Sequence, residues 1–204
     1  TVQAALKQYA DGNYADAYDA LQPWLLEANG QHSKLSEAYR ASIDCLQRLN
    51  RTKEIDQFRA QVVDAHPESW RLLFDIANSY LDVVHHGHLI AGEFERGQHR
   101  GGGKVANAWK RDRVEALRLF LKAWQQVAGT ERARVGSRYL PRFAYALRHA
   151  NQYADAWQMQ RLTNLDELPD YEEGWGHHGG QPRGAPVDEK DNAVFYDLPA
   201  RRET

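Results

Sequence analysis

Cysteine is nearly missing: Cys45 is the single thiol in 204 residues. One cysteine excludes an intrachain disulfide framework but leaves export open, since many exported chains carry no disulfide. Long apolar runs are missing too. None approaches the roughly 18 residues of a membrane span, so no direct membrane insertion is expected. Nor is there an excess of either charge, because 26 basic and 28 acidic residues leave a formal charge of -2. That balance supplies no net attraction to phosphate backbones, and no nucleic-acid partner is expected. Catalytic signatures are lacking as well: no G-x-S-x-G elbow, no paired-cysteine motif and no G-x-G-x-x-G after a strand. The chain reads as non-enzymatic and without cofactors. Its amino end has neither an initiator Met nor a signal-peptide core, which suggests a processed chain or an excised fragment.

What is present is apolar and aromatic residues in repeating order. With 42% hydrophobic residues, six Trp and ten Tyr, the chain can bury a core. It also uses one phrase twice: Gly12-Asn13-Tyr14-Ala15-Asp16-Ala17-Tyr18 and Asn151-Gln152-Tyr153-Ala154-Asp155-Ala156-Trp157. Self-similarity at the same point of a helix-turn-helix pattern marks a helical repeat array, in which small residues sit at helix crossings and aromatics fill the flanks. The expected fold is all-α, a tetratricopeptide-like solenoid of about four repeats.

In the first unit Leu6 and Tyr9 lie on one helix, Gly12-Asn13 makes the turn, and Tyr14, Ala17, Leu21 and Trp24 follow at helical spacing. The second unit uses Tyr39, Ile43 and Leu46, a turn at Asn50-Arg51, then Ile55, Phe58 and Val62, closed by His66-Pro67. The third begins after Ser69, a candidate N-cap, with Leu73, Ile76, Ala77, Tyr80 and Val84 along one face. Its second helix, carrying Ala116, Phe120, Ala123 and Trp124, comes only after an insertion spanning 87–108. Taking Ala17, Ile55, Ala116 and Ala156 as equivalent, the steps are 38, 61 and 40 residues, so the excess belongs to the third unit. The fourth unit places Leu140, Phe143, Ala144 and Leu147 on its first helix, with Pro141 in the opening turn. Residues 1–165 form the repeat domain. Residues 166–204 read as an irregular extended tail, truncated at its end, with two strand-prone runs within 185–196 suggesting a small β-hairpin.

The insertion is the oddest stretch, and long loops in compact repeats are often functional. Its Gly101-Gly102-Gly103-Lys104 lacks the Ser or Thr and the strand-to-helix setting of a phosphate loop. His85, His88 and His99, with His86, are candidate metal ligands, yet no zinc spacing is present. Arg96, Arg100 and Lys104 near Phe94 and Trp109 suit single-stranded nucleic acid, but Glu93, Glu95, Asp112 and Glu115 are interleaved. The favoured reading is structural: Ile90 and Phe94 pin the loop, and its arginines pair with acidic neighbours or a partner domain. On that reading Arg100→Ala and His99→Ala change thermal stability. Cys45 reads as a small core filler rather than a nucleophile.

The run from Ile90 to Gly103, with Arg111-Asp112-Arg113-Val114-Glu115-Ala116-Leu117, resembles the helical amino-terminal region of large bacterial alpha-2-macroglobulin-like proteins. So does Leu168-Pro169-Asp170-Tyr171-Glu172-Glu173-Gly174-Trp175, with Gly184-Ala185-Pro186-Val187-Asp188 and Val194-Phe195-Tyr196. These segments fall in about the last two thirds of the chain. In that family the helical region precedes a series of macroglobulin β-sandwich domains. The resemblance implies an exported, periplasmic or cell-envelope parent. The Cys-Gly-Glu-Gln thioester of some members is not here, since Leu46-Gln47 follows Cys45. Protease trapping is therefore not implied for this segment.

The sequence thus points to a scaffold that holds a protein partner or neighbouring domains of its own polypeptide. Tyr39, Tyr80, Tyr145, Arg96, His99 and Arg100 are candidate partner-binding residues. The competing reading is a protein that binds a metal or an anionic ligand through the His, Arg and Gly of residues 85–104.

Overall fold

The structure, a computed structural model, describes residues 1–27, 34–148 and 165–175. Among these residues are seven α-helices: α1 (Val2–Ala10), α2 (Tyr14–Leu26), α3 (Leu35–Arg48), α4 (Ile55–Ala65), α5 (Trp70–Leu81), α6 (Trp109–Gln126) and α7 (Gly129–Arg148). Four strands accompany them: β1 (His86–Ile90), β2 (Glu93–Arg96), β3 (Lys104–Asn107) and β4 (Glu172–Glu173). The second copy of the repeated phrase, the second helix of the fourth unit and the 185–196 hairpin lie outside the described residues.

Short connections set the helix pairs. Asp11-Gly12-Asn13 joins α1 to α2, and the two helices pack together. Between α3 and α4 the chain turns at Asn50, whose φ of 55° ends α3 in the left-handed conformation Asn tolerates. A 3₁₀ turn at Thr52–Glu54 then leads into α4. The odd-numbered helices are neighbours in sequence, α1 against α3, α3 against α5 and α5 against α7, while α2 also touches α4.

Buried aromatics fill the space between helices. Tyr18 of α2 meets the Phe58 ring edge-on at 5.7 Å, and Tyr39 of α3 stacks on the same ring at 6.0 Å. A second cluster joins Phe74 to Phe120 and Tyr139 at 5.5 and 5.2 Å, uniting α5, α6 and α7. Ala17, Ala77, Ala116 and Ala123 are fully buried, where a larger side chain would overpack the interior.

Three expectations need amending. The insertion is not a loop, and the molecule is not all-α, because β1, β2 and β3 form an antiparallel sheet joined by β4 in the order β2-β1-β3-β4. The β1–β2 connection is the two-residue turn Ala91-Gly92, with φ of 51° and 90°. Both residues at positive φ give the right-handed twist that a tight hairpin needs. Gly87 lets β2 approach closely, since a Cβ there would lie 2.1 Å from the Glu95 carbonyl oxygen. The second amendment concerns α5, which ends at Leu81 and leaves Val84 beyond it, 37% exposed. Ser69 does stand at the N-cap position, although its side chain makes no capping bond.

The third lies in α7. It begins at Gly129, and Pro141 sits in its interior rather than its opening turn. Its buried face is Tyr139 and Ala146 with Phe143 partly covered, while Leu140 and Leu147 are 53% and 44% exposed. Tyr139 is held between Phe74, Phe120 and Trp124, and that aromatic packing carries the helix past a residue that usually starts or breaks one.

Candidate functional site

Two places gather polar side chains, and they differ in character. One is shut inside the molecule at the base of the sheet. The other is an open cleft across the odd-numbered helices.

At the base of the sheet Arg96 ends β2 with its guanidinium inside, the residue 3% exposed. Its Nη1 and Nη2 donate to the two carboxylate oxygens of Asp112 on α6, each at 2.8 Å. Its Nε and Nη2 donate to Asp56 on α4 at 3.0 Å, and Nη1 also donates to the Val84 carbonyl at 2.7 Å. His85 Nδ1 donates to Asp112 Oδ2 at 2.7 Å while its ring stacks on Trp109, centroids 3.9 Å apart. Burial by itself would push the Asp112 carboxyl up. The Arg96 field and the bonds from His85 and Arg96 outweigh burial and hold it below its ordinary value. Burial likewise disfavours the charged guanidinium, and Asp112 and Asp56 more than offset it, so Arg96 stays charged. Arg59, fully buried, donates to Asp56 and to Ser79, which extends the network to α5.

The sequence candidates separate on this geometry. Arg96 does not face a partner, because every N–H direction it offers is taken up inside the fold. Tyr39 is fully buried, its hydroxyl bonded to Ser79 Oγ at 2.6 Å. Tyr80 is partly buried with the Arg59 guanidinium 4.1 Å from its ring centroid, and burial raises its pKa. Tyr145 is 46% exposed on α7, with Arg142 5.3 Å from its ring. His99 lies 3.4 Å from Glu95, and Arg100 is exposed with no bond or ion pair among the described residues. Stability therefore rests on Arg96 rather than on Arg100. Phe94 stacks on Tyr171 at 4.4 Å, so it pins the segment before β4 to the sheet rather than the insertion to the helices.

The histidines are divided as well. His85 is committed to Asp112, whereas His88 and His99 lie elsewhere, their rings 5.8 Å apart, with Trp175 6.3 Å from His88. Among the described residues no group of three or more His, Cys, Asp or Glu side chains is arranged to hold a metal ion. Burial pushes the Cys45 thiol up to about 11, which makes it a poor nucleophile at neutral pH.

The open cleft has a volume of about 330 Å³ and is lined by α3, α5 and α7 alone. Ser36 and Arg40 come from α3, Trp70, Arg71, Phe74 and Asp75 from α5, and Arg134, Val135, Arg138 and Tyr139 from α7. The helical period puts Arg71 and Asp75, then Arg134 and Arg138, four residues apart on the cleft face while Phe74 and Tyr139 turn inward to the core. Arg71 lies over the Trp70 ring at 4.5 Å and shares the Glu131 carboxylate with Arg134, at 3.6 and 2.9 Å. Burial pushes the Asp75 carboxyl up, and a bond from Ser36 and the fields of Arg40 and Arg138 only partly counter it. Sequence reasoning passed over this site because its arginines are scattered over some hundred residues and form no motif. The helical phase of Arg134 and Arg138 relative to Tyr139 was the signal available.

No helix among the described residues is long and apolar enough to cross a membrane. No protein-family model matches the chain, and no curated protein or solved structure matches it either.

Proposed function

We propose that this chain is a non-enzymatic interaction scaffold, a tetratricopeptide-like stack whose first helices present a groove to a protein segment. The observation that carries the reading is the cleft built only from α3, α5 and α7, the first helices of successive units. A stack of helix pairs places its first helices side by side on one surface, and such surfaces are what repeat proteins use for binding. The succession of α1, α3, α5 and α7 as neighbours supports the same arrangement.

The bound segment belongs to a separate protein or to neighbouring domains of the same polypeptide. In keeping with the resemblance described above, the parent is an exported, macroglobulin-like protein of the periplasm or envelope. Peptides selected by phage display on the 204-residue chain test the groove. Hydrogen exchange should then slow in α3, α5 and α7 on binding. Protection confined to the sheet, or reproducible turnover of an ester or peptide substrate lost on one substitution, would overturn the proposal.

A further inference from the structure

The cleft has a chemical preference. Four arginines line it against one aspartate, on a chain whose formal charge is -2. This concentration of positive charge runs against the average of the molecule, so it is local to the cleft. We infer that the segment bound there is acidic, a short extended peptide whose Asp or Glu carboxylates pair with Arg40 and Arg138, with an apolar side chain against Trp70 and Val135. The inference rests on the groove being the binding site.

Glu131 already shows the chemistry the cleft accepts, one carboxylate held between Arg71 and Arg134. Arg40 and Arg138 have no such partner. Arg40 Nε donates only to the Ser36 carbonyl one turn earlier, at 3.2 Å. Arg138 makes no hydrogen bond or ion pair among the described residues. Both act through their fields on Asp75, which is partly buried among the lining residues. The two guanidiniums therefore keep most of their donors open, and the planar fork of each matches a carboxylate. The volume sits at the low end of ligand sites, which span about 300 to 1,000 Å³, so it suits a few side chains rather than a folded domain. A peptide is favoured over a nucleic-acid strand because Asp75 would oppose a continuous run of phosphates, whereas spaced carboxylates can avoid it.

The test uses the whole 204-residue chain and labelled octapeptides of alternating glutamate and leucine, lysine and leucine, or serine and leucine, with an oligothymidylate beside them. Fluorescence anisotropy should show the glutamate peptide binding most tightly and weakening several-fold from about 0.05 to 0.3 M salt. Arg40→Glu with Arg138→Glu should weaken it roughly a hundredfold, about tenfold for each reversed charge. The charge-matched pair Lys53→Glu with Lys122→Glu, away from the cleft, should change it less than about twofold. Circular dichroism establishes that each variant is folded.

Equal loss in both double variants would overturn the inference, as would tighter binding of the lysine peptide or of the oligothymidylate. If the serine peptide alone binds and Trp70→Ser abolishes it, the groove stands and the acidic preference falls. If none of the peptides binds, both fall.

Discussion

Replacing Arg96 by Met should cost far more than the loss of a surface ion pair. The substitution keeps most of the side chain's volume and removes its charge, which leaves Asp112, 2% exposed, as an ionised carboxylate facing a methyl group. Asp112 would retain His85 but lose two bonds at 2.8 Å, and the Val84 carbonyl would lose its donor at 2.7 Å. Breaking a buried pair from one side typically costs about 3 to 5 kcal/mol, because the remaining charge is uncompensated. Domain stabilities are about 5 to 15 kcal/mol, so the variant would lose a large share of its stability. With a urea slope of about 2 kcal/mol per molar, a 4 kcal/mol loss moves the midpoint down by about 2 M.

The assay is urea unfolding at pH 7, followed by circular dichroism and by tryptophan emission, to which Trp109, stacked on His85, is one of six contributors. Removing both charges with Arg96→Met and Asp112→Leu should cost less than Arg96→Met alone, because no orphaned carboxylate remains. The pH dependence adds a sign. Native Asp112 titrates below its ordinary 3.8, so its contribution is complete above that value and is lost as pH falls through the lower native value. Without Arg96, only His85 is left to oppose burial, so the stability that the ionised carboxylate contributes above 3.8 should shrink relative to wild type. A loss under about 1 kcal/mol for Arg96→Met, or a double variant as costly as both single ones added, would refute the argument.

Other expectations follow from single positions. Ala91→Asn should stabilise the chain by about 0.5 to 1 kcal/mol in thermal unfolding, since Asn-Gly suits a turn with positive φ at both residues better than Ala-Gly. Gly87→Ala should destabilise by at least about 2 kcal/mol and weaken exchange protection along β1 and β2, because its Cβ would strike backbone that cannot yield. Asp75→Asn should stabilise at pH 7. The native carboxyl titrates above 3.8, so ionising it costs stability, and the gap to wild type should open as pH rises from 3.8 through the native value. Arg100→Ala should shift the thermal midpoint by less than about 1 °C, as expected for a side chain with no bond in the described structure.

Helix periodicity was readable in the sequence wherever an apolar face was continuous. The turns at Gly12-Asn13 and Asn50-Arg51 and the faces of α1 to α4 fall where composition puts them. The sheet is hard to see in the sequence because its strands are only two to five residues long and rich in His, Glu and Gly, which read as loop. Glu93-Phe94-Glu95-Arg96 does alternate, and Ala91-Gly92 before it was the turn signal. In α7 the proline suggests a helix start, because propensity cannot foresee that Tyr139 locks the preceding turns against three other aromatic rings. The burial of Arg96 was beyond sequence reasoning for a related cause. Its two carboxylates lie forty residues before and sixteen after it, on helices whose mutual placement only the tertiary fold decides.

The three strands between α5 and α6 begin and end at one place. The Ala108 amide donates to the His85 carbonyl at 2.7 Å, and His86 pairs with Asn107, so the chain sets out from the end of α5 and comes home beside its own starting point. An excursion with touching ends imposes no spacing on the helices it interrupts, and α5 packs against α6 as if joined directly. The length of the segment is therefore not set by the α5–α6 packing; what ties it down is Arg96 on Asp56 and Asp112, Phe94 on Tyr171 and the pairing of β3 with β4. One condition travels with it: whatever replaces the sheet must bring a cation to Asp112, or Asp112 must be replaced along with it.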